Sequence, residues 1–594
     1  MCGIVGYTGK DKCIPKIISG LESLDYRGYD SAGVAYITNG KIDIKKEEGR
    51  IENLKTEIDM EVASTIGIGH TRWATHGKPS DENSHPHRVG KITLVHNGIV
   101  ENYNELRKEV GNYNYLSETD SEVVAALINK LYEEKKDMLE VLKELKNYLI
   151  GSYALGILVD GDDKIYTIRK DSPLIIGVAK DGNFIASDVP AILEYTNMYY
   201  LLLNDEYAVL DKDDVVIYDK DGNIVNKTLN TFEASRESAM KNGYDHFMLK
   251  EIYEQPKVIM DTISEYIHSV DSLNERMSGL EKYDAIDIIG CGSAYHVGLV
   301  GKSLITKYGE VPVYVDIASE YRYTEHIYSK KHLIILISQS GETADTLAVL
   351  RKAKEHGVDT LAIVNVVGSS IAREADKVLY IKAGPEIAVA TTKAYSCQLM
   401  MLSLIAMYLG IKKGNLNKDI LNEYNNLTKL IPEVLEDTKK IEKIAKKIYK
   451  KKHVFFLGRK IDYTLCMEAS LKLKEISYIH SEAYAAGELK HGTISLVEKG
   501  TPVISIITDD DIKYKTLSNV KEVCARGALS IIITNDPEMD KDIYNAMIII
   551  PKAHELVSPI LAIIKCQLLS YYVAKLNGCD IDKPRNLAKS VTVE

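Results

Sequence analysis

The chain begins Met1-Cys2-Gly3-Ile4-Val5-Gly6-Tyr7. Removal of Met1 would leave Cys2 with a thiol and a free α-amine on one residue. Because the reference pKa of an α-amine is about 8, part of it is an unprotonated base near neutral pH. Such a residue can act as nucleophile and general base together. The alternative is that Cys2 is a small buried hydrophobic residue at the start of a strand.

The composition is that of a globular protein with several domains. The 594 residues exceed what one hydrophobic core can hold, and a length of this order suggests about three domains. The chain is 45% hydrophobic and 27% charged, with a net charge of −11. We find no basic run of the kind that nucleic acids or membrane surfaces attract, so we expect neither as a partner. An anionic small substrate would need a local pocket of hydrogen-bond donors.

Cysteine usage and apolar stretches indicate a cytoplasmic protein. The N-terminus lacks the basic and apolar regions of a signal peptide. The longest apolar stretches, such as 399–409 and 333–337, are too short to span a bilayer. The cysteines show no CxxC pairing, which argues against a disulfide framework and against a cysteine-type zinc site. They are Cys2, Cys13, Cys291, Cys397, Cys466, Cys524, Cys566 and Cys579.

The first part of the chain alternates short β-rich runs with helical segments. Runs such as 33–37 and 92–97 predict strands, and Asp-Gly turns between later runs indicate antiparallel hairpins. Residues 15–26 and 121–132 predict helices, the second of them preceded by a capping signal. We expect an α+β domain of sheets packed on sheets with helices outside, ending near residue 240.

Polar side chains at strand ends in this domain suit acyl chemistry. Asn97 offers a side-chain amide and Gly98 an unobstructed backbone N–H, the two donors that an oxyanion hole needs. The alternative is that this Asn-Gly pair is only a turn. Arg72 could bind a carboxylate in bidentate fashion, and Asp120 at a helix start could hold an ammonium group.

Four histidines of this region raise the question of a metal site. Their spacing matches no familiar set of metal ligands, so we expect no metal. They are His76, His85, His87 and His96.

Five motifs in this domain resemble those of class II glutamine amidotransferases, which are N-terminal-nucleophile hydrolases with an αββα fold. They are CGIVG at 2–6, YRGYDSAG at 26–33, GHTRWATHG at 69–77, HNG at 96–98 and SETDSE at 117–122. The resemblance implies that Cys2 attacks the carboxamide of glutamine after loss of Met1, with Asn97 and Gly98 stabilising the oxyanion. The remaining residues that it implicates around the nucleophile and the amino-acid end of glutamine are Arg27, Arg72, Thr75, His76 and Asp120. Together with the resemblance of the second half of the chain, it further implies that Trp73 gates a channel for ammonia.

The second half of the chain alternates strand and helix, and the order repeats. Buried-strand runs at 285–290 and 333–337 are each followed by a helix, as in a doubly wound parallel sheet. The same order recurs from residue 453 onward. We therefore expect two α/β lobes, at 257–430 and 431–594.

The stretch Ser-Gln-Ser-Gly-Glu-Thr at 338–343 ends one predicted strand and opens a helix. Its hydroxyls, amide and free N–H groups make a natural phosphate cradle. The corresponding stretch of the second lobe, 508–511, is Thr-Asp-Asp-Asp and repels phosphate, so we expect one such site per chain. The candidate phosphate-binding residues are Ser338, Gln339, Ser340 and Thr343.

Two alternatives remain for the first lobe. The stretch 338–343 could be a structural Ser/Gly turn. Residues 290–292 could begin a dinucleotide site, but Tyr295 stands where that fingerprint requires its third glycine.

Two further groups suit sugar chemistry. Lys472 and Glu475 lie three residues apart and share a helix face, for which the alternative is a solvated ion pair. A lysine of the C-terminal tail, residues 582–594, could fold over a pocket and form a Schiff base with a ketose. The alternative for this tail is a frayed terminus.

The second half resembles the sugar isomerase (SIS) domains of glutamine–fructose-6-phosphate aminotransferases. With the first half, the resemblance covers essentially the whole chain. It implies that His491 opens the sugar ring, that Lys589 forms the Schiff base, and that Glu475 moves a proton between C1 and C2 with help from Lys472. It also implies that His491 reaches the site of a neighbouring subunit, so a homodimer is expected.

The same resemblance assigns further positions in the sugar pocket. Besides the cradle, they are Ser293, Glu386, Val389 and Ala588. Three residues depart from the family pattern, namely Ala294, Ala388 and Thr493. Ala294 replaces a frequent second hydroxyl, which would remove one hydrogen bond worth on the order of 1 kcal/mol.

The resemblance implies an α+β N-terminal-nucleophile hydrolase (αββα) domain followed by two α/β SIS domains with parallel sheets. Glutamine and fructose 6-phosphate are the expected substrates, glucosamine 6-phosphate is the expected product, and no cofactor is required. One rival is a class II amidotransferase with another acceptor, which would need a phosphoribosyl-diphosphate or nucleotide-binding domain. A second rival is a sugar-phosphate-sensing regulator, which would lack Glu475, His491 and Lys589.

Overall fold

The computed structural model describes residues 2–25, 27–74, 76–232, 240–267, 270–436 and 438–592. The chain divides into two compact units. The first comprises Met1–Ala239 together with Ala588–Glu594, and the second comprises Met240–Leu587.

Antiparallel strands form the centre of the first unit. One sheet has the order β14-β11-β9-β10-β1-β4-β2-β3 and the other has the order β13-β12-β8-β7-β6-β5. The strands are β1 Gly3–Gly9, β2 Ser31–Thr38, β3 Lys41–Glu48, β4 Ile66–Arg72, β5 His87–Val89, β6 Ile92–Val100, β7 Gly151–Val159, β8 Ile165–Lys170, β9 Ile175–Ala179, β10 Gly182–Ala186, β11 Met198–Leu201, β12 Tyr207–Leu210, β13 Val215–Tyr218 and β14 Asn230–Thr231. The helices are α1 Cys13–Leu24, α2 Ile51–Glu57, α3 Tyr103–Val110, α4 Asp120–Lys135 and α5 Met138–Leu145.

The two sheets pack face to face, and helices cover their outer faces. Ile4, Ile68 and Ile185 of one sheet share a buried cluster with Val95 and Leu158 of the other. A second cluster joins the smaller sheet to α4 and α5, and α1 packs on β1 and β4 of the larger sheet. The expected αββα layering is confirmed. Strands β1 and β4 are buried along their whole length because each has a helix on one face and a sheet on the other.

The second unit contains two parallel sheets of five strands each. The first sheet consists of β15 Ala285–Gly290, β16 Val313–Ile317, β17 His332–Ser338, β18 Asp359–Val364 and β19 Lys377–Tyr380, and the second of β20 His453–Gly458, β21 His480–Ala485, β22 Pro502–Ile507, β23 Leu529–Thr534 and β24 Ala546–Ile549. The helices are α6 Phe247–Tyr266, α7 Val270–Met277, α8 Ser293–Gly309, α9 Ala318–Tyr321, α10 Ala344–Glu355, α11 Ser370–Glu374, α12 Lys393–Lys413, α13 Leu421–Glu436, α14 Thr438–Ile448, α15 Ile461–Ser477, α16 Lys513–Cys524 and α17 Ser558–Leu576.

The two sheets share one topology. Their orders are β16-β15-β17-β18-β19 and β21-β20-β22-β23-β24. In each sheet the second strand lies on one side of the first strand and the later strands lie on the other side, so the strand order reverses beside the first strand. Ligands of open parallel sheets bind at such switch points, outside the carboxyl ends of the strands. The predicted repeat of parallel α/β lobes is therefore confirmed, and the polar ends of β15 and β17 lie at the switch point of the first lobe.

Two long apolar helices, α12 and α17, are core helices of the second unit. Among the described residues, α12 and α17 are long and apolar enough to cross a membrane, but 94% and 83% of their most apolar windows are buried inside the protein. Stretch 399–409 alone is too short to span a bilayer, and the helix exceeds it because α12 includes flanking residues at both ends. Each helix packs in the interior of its lobe, α12 against α8 and α17 against α15. A helix that is buried on all sides has apolar residues on every face, so its sequence resembles that of a membrane-spanning helix.

Candidate active sites

Cys2 lies at the entrance to β1, next to the residues that follow β4. The backbone N–H of Trp73 donates to Cys2 Sγ at 3.2 Å. The amide Nδ2 of Asn97 donates to the backbone carbonyl of Cys2 at 2.9 Å. Burial raises the pKa of the Cys2 thiol, while the Trp73 N–H and the charge of Arg72 act in the opposite direction. The thiol therefore needs a base to become a nucleophile at neutral pH.

Gly98, the second predicted oxyanion donor, occupies a position that only glycine can fill. Its φ of +132° lies outside the range of ordinary side chains. A Cβ there would sit 2.0 Å from the carbonyl oxygen of Ser152 on the neighbouring strand β7. The pair Asn97-Gly98 is thus part of β6, paired with β7, and the turn that we considered as an alternative is not formed.

Arg72 is buried, and its guanidinium organises the loop that follows β4. It donates to the backbone carbonyls of His76, Gly77 and Lys78, at 3.1 Å for Gly77 and 3.5 Å for Lys78. Burial lowers the pKa of Arg72. A carboxylate that binds Arg72 would share its donors with this loop.

Asp120 is buried at the first turn of α4. Its Oδ2 accepts a hydrogen bond from the backbone N–H of Val100 at 2.8 Å. Thr119 caps the same helix, since its side chain accepts from the N–H of Glu122. Asp120 therefore ties the helix start to the end of β6, two residues beyond Gly98.

The other predicted glutamine-binding residues belong to the loop after β4. The Trp73 ring packs edge-on against Tyr29, with centroids 5.9 Å apart, and the His76 ring packs against Tyr103 at 5.5 Å. Thr75 lies outside the described residues.

Arg27, which the amidotransferase resemblance associates with the nucleophile, is buried in an ion pair. Its Nη2 donates to Asp188 Oδ2 at 2.7 Å. Asp188 also accepts from the N–H of Val189 at 2.8 Å, so it fixes the chain just after β10. Arg27 thus joins the segment between α1 and β2 to a distant part of the larger sheet.

Four histidines are buried behind Asn97. Burial lowers the pKa of each ring, to about 3 for His70, so all four are neutral. They are His70, His85, His87 and His96. No group of three or more His, Cys, Asp or Glu side chains able to hold a metal occurs among the described residues. His76, the other histidine of the predicted set, is separate from this cluster and packs on Tyr103.

In the second unit, the predicted phosphate cradle lies between β17 and α10. Ser338 Oγ and Thr343 Oγ1 are 2.9 Å apart, and the N–H of Gly341 donates to Ser338 Oγ at 3.0 Å. The N–H of Glu342 donates to Ser340 Oγ at 3.2 Å. Gly341 has a φ of +66°, and a Cβ there would sit 2.0 Å from Ser369 Oγ. Residues 338–343 therefore form a tight loop at the carboxyl end of β17, held by their own hydrogen bonds and by the close approach of Gly341 to Ser369.

A buried charged network lies between α8 and α15. Ser293 Oγ donates to Glu468 Oε1 at 2.9 Å, and His296 Nδ1 lies 2.8 Å from Glu468 Oε2. Lys472 Nζ lies 3.5 Å from Glu468 Oε1 and 2.6 Å from Glu475 Oε2. Ser293, predicted to bind phosphate, is thus bonded to a carboxylate, and it connects the first lobe to the helix that carries Lys472.

Lys472 is not part of a solvated ion pair, because its side chain is only 1% exposed. Burial by itself would lower the pKa of Lys472, but the carboxylates of Glu475 and Glu468 outweigh it and hold the pKa above its usual value. The ammonium group stays charged, and the Glu475 side chain, 19% exposed, is the most exposed member of the network.

Val389 is linked to the chain that leads to the tail. Its backbone N–H donates to the carbonyl of Asp582 at 2.9 Å. The Asp582 carboxylate accepts from the N–H groups of Phe247 and Met248 at the start of α6. Residues up to Leu587 belong to this unit, whereas Ala588 and Lys589 group with the first unit. His491 is exposed in a short turn, Glu488–His491.

Glu386 and Ala388 precede α12. The carboxylate of Glu386 accepts from the backbone N–H groups of Thr392 and Ala394, at 2.9 and 3.0 Å, and so caps the helix. Ala388 is fully buried, and its N–H donates to Glu251 Oε1 at 3.2 Å. Of the other two departures, Ala294 lies in the first turn of α8 and Thr493 begins a short turn, Thr493–Leu496.

The second lobe has a carboxylate where the first has its cradle. Asp462, in the first turn of α15, accepts from both the backbone N–H and the hydroxyl of Thr508 at the end of β22. Burial raises the pKa of Asp462 to about 6. The Asp462 carboxylate therefore occupies the Thr508 donors that a phosphate would need. This adds to the repulsion of phosphate that we expect from residues 509–511.

Asp462→Asn should stabilise the protein at neutral pH, and the gain should disappear in acid. The folded protein keeps the Asp462 proton between pH 3.8 and about 6 while the unfolded chain loses it, so wild-type stability falls over that range. Above pH 6 the ionised group costs about 3 kcal/mol, which asparagine does not incur. We expect the difference in thermal unfolding midpoint between the variant and wild type to grow from pH 4 to pH 7.

The matched control for this experiment is Asp510→Asn. Asp510 lies on the same loop, is 58% exposed and pairs with Lys552 at 2.6 Å. Its effect on the unfolding midpoint should not change in the same way with pH. A difference between Asp462→Asn and wild type that stays constant from pH 4 to pH 7 would contradict the linkage.

Sequence reasoning missed two residues of these sites. Glu468 is spaced four and seven residues before Lys472 and Glu475, so helical periodicity places all three on one face, and this signal was available. His70 lies in a β-rich run and shows its importance only through its contact with Asn97, which no local pattern reveals.

The matches to known families follow the two units. The family described as "Glutamine amidotransferase domain" matches residues 70–194, in the first unit. The family described as "SIS domain" matches twice, at residues 279–408 and 447–575, once in each lobe of the second unit.

Full-length relatives carry both parts. Proteins named glutamine–fructose-6-phosphate aminotransferase [isomerizing] from Clostridium tetani and Caldanaerobacter subterraneus are 51% and 50% identical over 611 residues, which cover 100% of this chain and of each relative. A solved structure, the C-terminal domain of glucosamine-fructose-6-phosphate aminotransferase from Francisella tularensis, is 40% identical and covers 58% of this chain and 99% of that chain, with a TM-score of 0.55. The chain belongs to the glutamine–fructose-6-phosphate aminotransferase (isomerising) family.

Proposed function

We propose that this chain converts glutamine and fructose 6-phosphate to glutamate and glucosamine 6-phosphate, the first step of the hexosamine (UDP-N-acetylglucosamine) pathway. One observation carries the proposal. A single chain holds the Cys2 thiol, contacted by the Trp73 N–H with the Asn97 amide on the Cys2 carbonyl, and also, in the second unit, the buried Lys472 ammonium beside Glu475. We assign residues 1–240 to glutamine hydrolysis, 257–430 to sugar-phosphate binding, and 431–594 to the isomerising groups.

The first half-reaction takes place at Cys2. Loss of Met1 frees the α-amine, which takes the thiol proton as the sulfur attacks the carboxamide carbon of glutamine. Asn97 Nδ2 and the N–H of Gly98 donate to the oxyanion that forms. The α-ammonium group gives the thiol proton to the leaving nitrogen, so that the tetrahedral intermediate expels ammonia and leaves a thioester, which water hydrolyses to glutamate and the free Cys2 thiol. The amino-acid end of glutamine is held by Arg72, Thr75, His76 and Asp120, and Trp73 gates the passage of the ammonia that is released.

The second half-reaction begins with binding of the sugar phosphate. The phosphate binds at the cradle, because hydroxyl and N–H donors converge where α10 begins. The residues that we assign to sugar-phosphate binding are Ser293, Ser338, Gln339, Ser340, Thr343, Val389 and Ala588.

The chemistry at the sugar uses acid–base groups and one amine. His491 opens the ring, and the amine of Lys589 condenses with the C2 carbonyl, with loss of water. Ammonia then displaces Lys589 from C2 and leaves a C2 imine. Glu475 removes a proton from C1 and returns it to C2, while the proton of the C1 hydroxyl passes to the C2 nitrogen, which gives the C1 aldehyde and the C2 amine of the product. Lys472, charged and 2.6 Å from Glu475, stabilises the negative charge that develops in this transfer.

The partner that we propose is a second copy of the chain. His491 is exposed, as a side chain that serves a neighbouring site would be. We also propose a cytoplasmic location, because all eight cysteines are free thiols and the two long apolar helices are core helices.

The test is an incubation of the full-length protein with glutamine and fructose 6-phosphate. We expect glutamate and glucosamine 6-phosphate to appear in equal amounts. Omission of either substrate should abolish the amino sugar. Glutamate without amino sugar, or transfer of the nitrogen only to a different acceptor, would contradict the proposal.

A further inference from the structure

His70, on β4, makes the only described side-chain contact to the oxygen of the Asn97 amide. Its Nε2 lies 3.1 Å from Asn97 Oδ1 and 2.9 Å from the backbone carbonyl of His96. The ring is fully buried, with no exposed surface. The other end of the Asn97 amide, Nδ2, is the group that donates to the carbonyl of Cys2.

Two backbone carbonyls fix the direction of the hydrogen bonds that join Cys2, Asn97, His70 and His96. The carbonyls of Cys2 and His96 can only accept. The Asn97 amide must therefore turn its NH₂ group to Cys2 and its oxygen to His70. The Nε2 of His70, which faces His96 O and Asn97 Oδ1, must in turn carry a hydrogen and donate to both.

His85 packs against the His70 ring. His85 Nδ1 lies 3.1 Å from both ring nitrogens of His70, and the two ring centroids are 4.1 Å apart. Because Nε2 carries the hydrogen, Nδ1 of His70 is left as an acceptor. Burial keeps the His70 ring neutral, since its pKa is lowered to about 3. The ring is thus a fixed, uncharged donor.

We infer that His70 is a positioning residue for glutamine hydrolysis, because it holds the Asn97 amide with its NH₂ group towards the oxyanion. This inference rests on the proposed attack of Cys2 on a carboxamide. Without His70, the amide oxygen loses its buried donor, and the amide can rotate so that its oxygen faces the oxyanion. The expected loss is in transition-state stabilisation, whereas the groups that bind the amino-acid end of glutamine are not touched.

The experiment measures glutaminase kinetics of the full-length protein with His70→Leu and His70→Gln. Leucine keeps most of the volume and removes the donor, whereas glutamine keeps a donor at similar reach. For His70→Leu we expect kcat to fall about 10- to 100-fold, less than the roughly 100- to 1,000-fold cost of deleting an oxyanion donor itself. We expect KM for glutamine to change by less than about 3-fold, since uniform binding is retained. His70→Gln should recover most of kcat.

His87→Leu is the matched control. His87 is also buried, with 4% of its surface exposed, and belongs to the same cluster, but its Nε2 contacts Thr119 Oγ1 at 3.1 Å and not Asn97. A purely structural role of the cluster predicts similar losses of kcat for both leucine variants. Our inference predicts that His87→Leu keeps kcat within about 3-fold of wild type.

An aldehyde analogue of glutamine gives an independent readout. The Cys2 thiol adds to the aldehyde of the analogue, so that sulfur bonds to the carbon and the hydrogen goes to the oxygen. The carbon becomes tetrahedral, and its oxygen takes the place of the oxyanion that Asn97 faces. The analogue should bind His70→Leu more weakly by the same factor as the fall in kcat, while binding of glutamate, which has no such oxygen, stays constant.

The outcomes separate the inference from the proposed function. If the wild-type protein does not hydrolyse glutamine, the proposed function fails before any variant is compared. If the wild type is active and His70→Leu keeps its kcat, or if His70→Gln loses as much as His70→Leu, the positioning role is overturned. Equal losses in His70→Leu and His87→Leu overturn it as well.

Discussion

Replacement of Cys2 by alanine will abolish glutamine hydrolysis, with a loss in kcat of roughly 10⁵-fold or more. The thiol is the only nucleophile of the proposed reaction, and the Trp73 N–H and the Asn97 amide are arranged around it. Oxyanion donors alone leave only a small residual rate. The measurement is release of glutamate from glutamine by the purified full-length protein.

The second unit provides an internal control for this experiment. Transfer of a proton between C1 and C2 of fructose 6-phosphate without ammonia yields glucose 6-phosphate. We expect Cys2→Ala to retain this interconversion, because Glu475 and Lys472 belong to the other unit.

Cys13→Ala is the matched variant. Cys13 is fully buried at the start of α1, and burial raises the pKa of its thiol to about 11, so it is inert at neutral pH. Its removal should leave glutamine hydrolysis intact. Glutamate release by Cys2→Ala at more than a trace of the wild-type rate would refute the nucleophile assignment.

The layered fold of the first unit follows from its sequence pattern, but its short helices do not. Helices α1 and α4 combine an apolar stripe or a capping signal with sufficient length, and both were predicted. Helices α2, α3 and α5 have only seven or eight residues each. Short isolated helices are marginal, and packing against the rest of the unit decides whether they form.

In the second unit, one strand escaped prediction for a physical reason. Strand β21 is at the edge of its sheet, and its sequence His-Ser-Glu-Ala-Tyr-Ala mixes polar and apolar residues. The central strands have continuous apolar runs because they are covered on both faces. The repeat of the two lobes was visible from those central strands alone.

For the sites, the sequence predicted the residue types but not their partners. We expect Arg72 and Asp120 to face a ligand, and the structure adds that Arg72 bonds to loop carbonyls and Asp120 to the end of β6. Ser293, which we assign to phosphate binding, also donates to Glu468, far along the chain. Burial of a carboxylate such as Glu468 depends on partners that only the tertiary structure brings together.

Glu475→Gln should lower formation of glucosamine 6-phosphate about 10²- to 10⁴-fold, the range expected for loss of a positioned general base. A glutamine side chain can still accept from Lys472, so the geometry is kept while the ability to carry a proton is lost. Lys472 also keeps the Glu468 carboxylate at 3.5 Å, which leaves its buried charge compensated. We therefore expect the variant to fold and to bind the sugar phosphate.

The measurement compares the two half-reactions of the same protein. Interconversion of fructose 6-phosphate and glucose 6-phosphate should fall together with amino-sugar formation, because both need the C1–C2 proton transfer, whereas glutamine hydrolysis should persist. Glu442→Gln is the control, since Glu442 pairs with Lys446 at 3.0 Å on the surface of α14 and such a pair contributes little. If Glu475→Gln retains wild-type sugar turnover, Glu475 is not the base, and the buried network serves only to join α8 to α15.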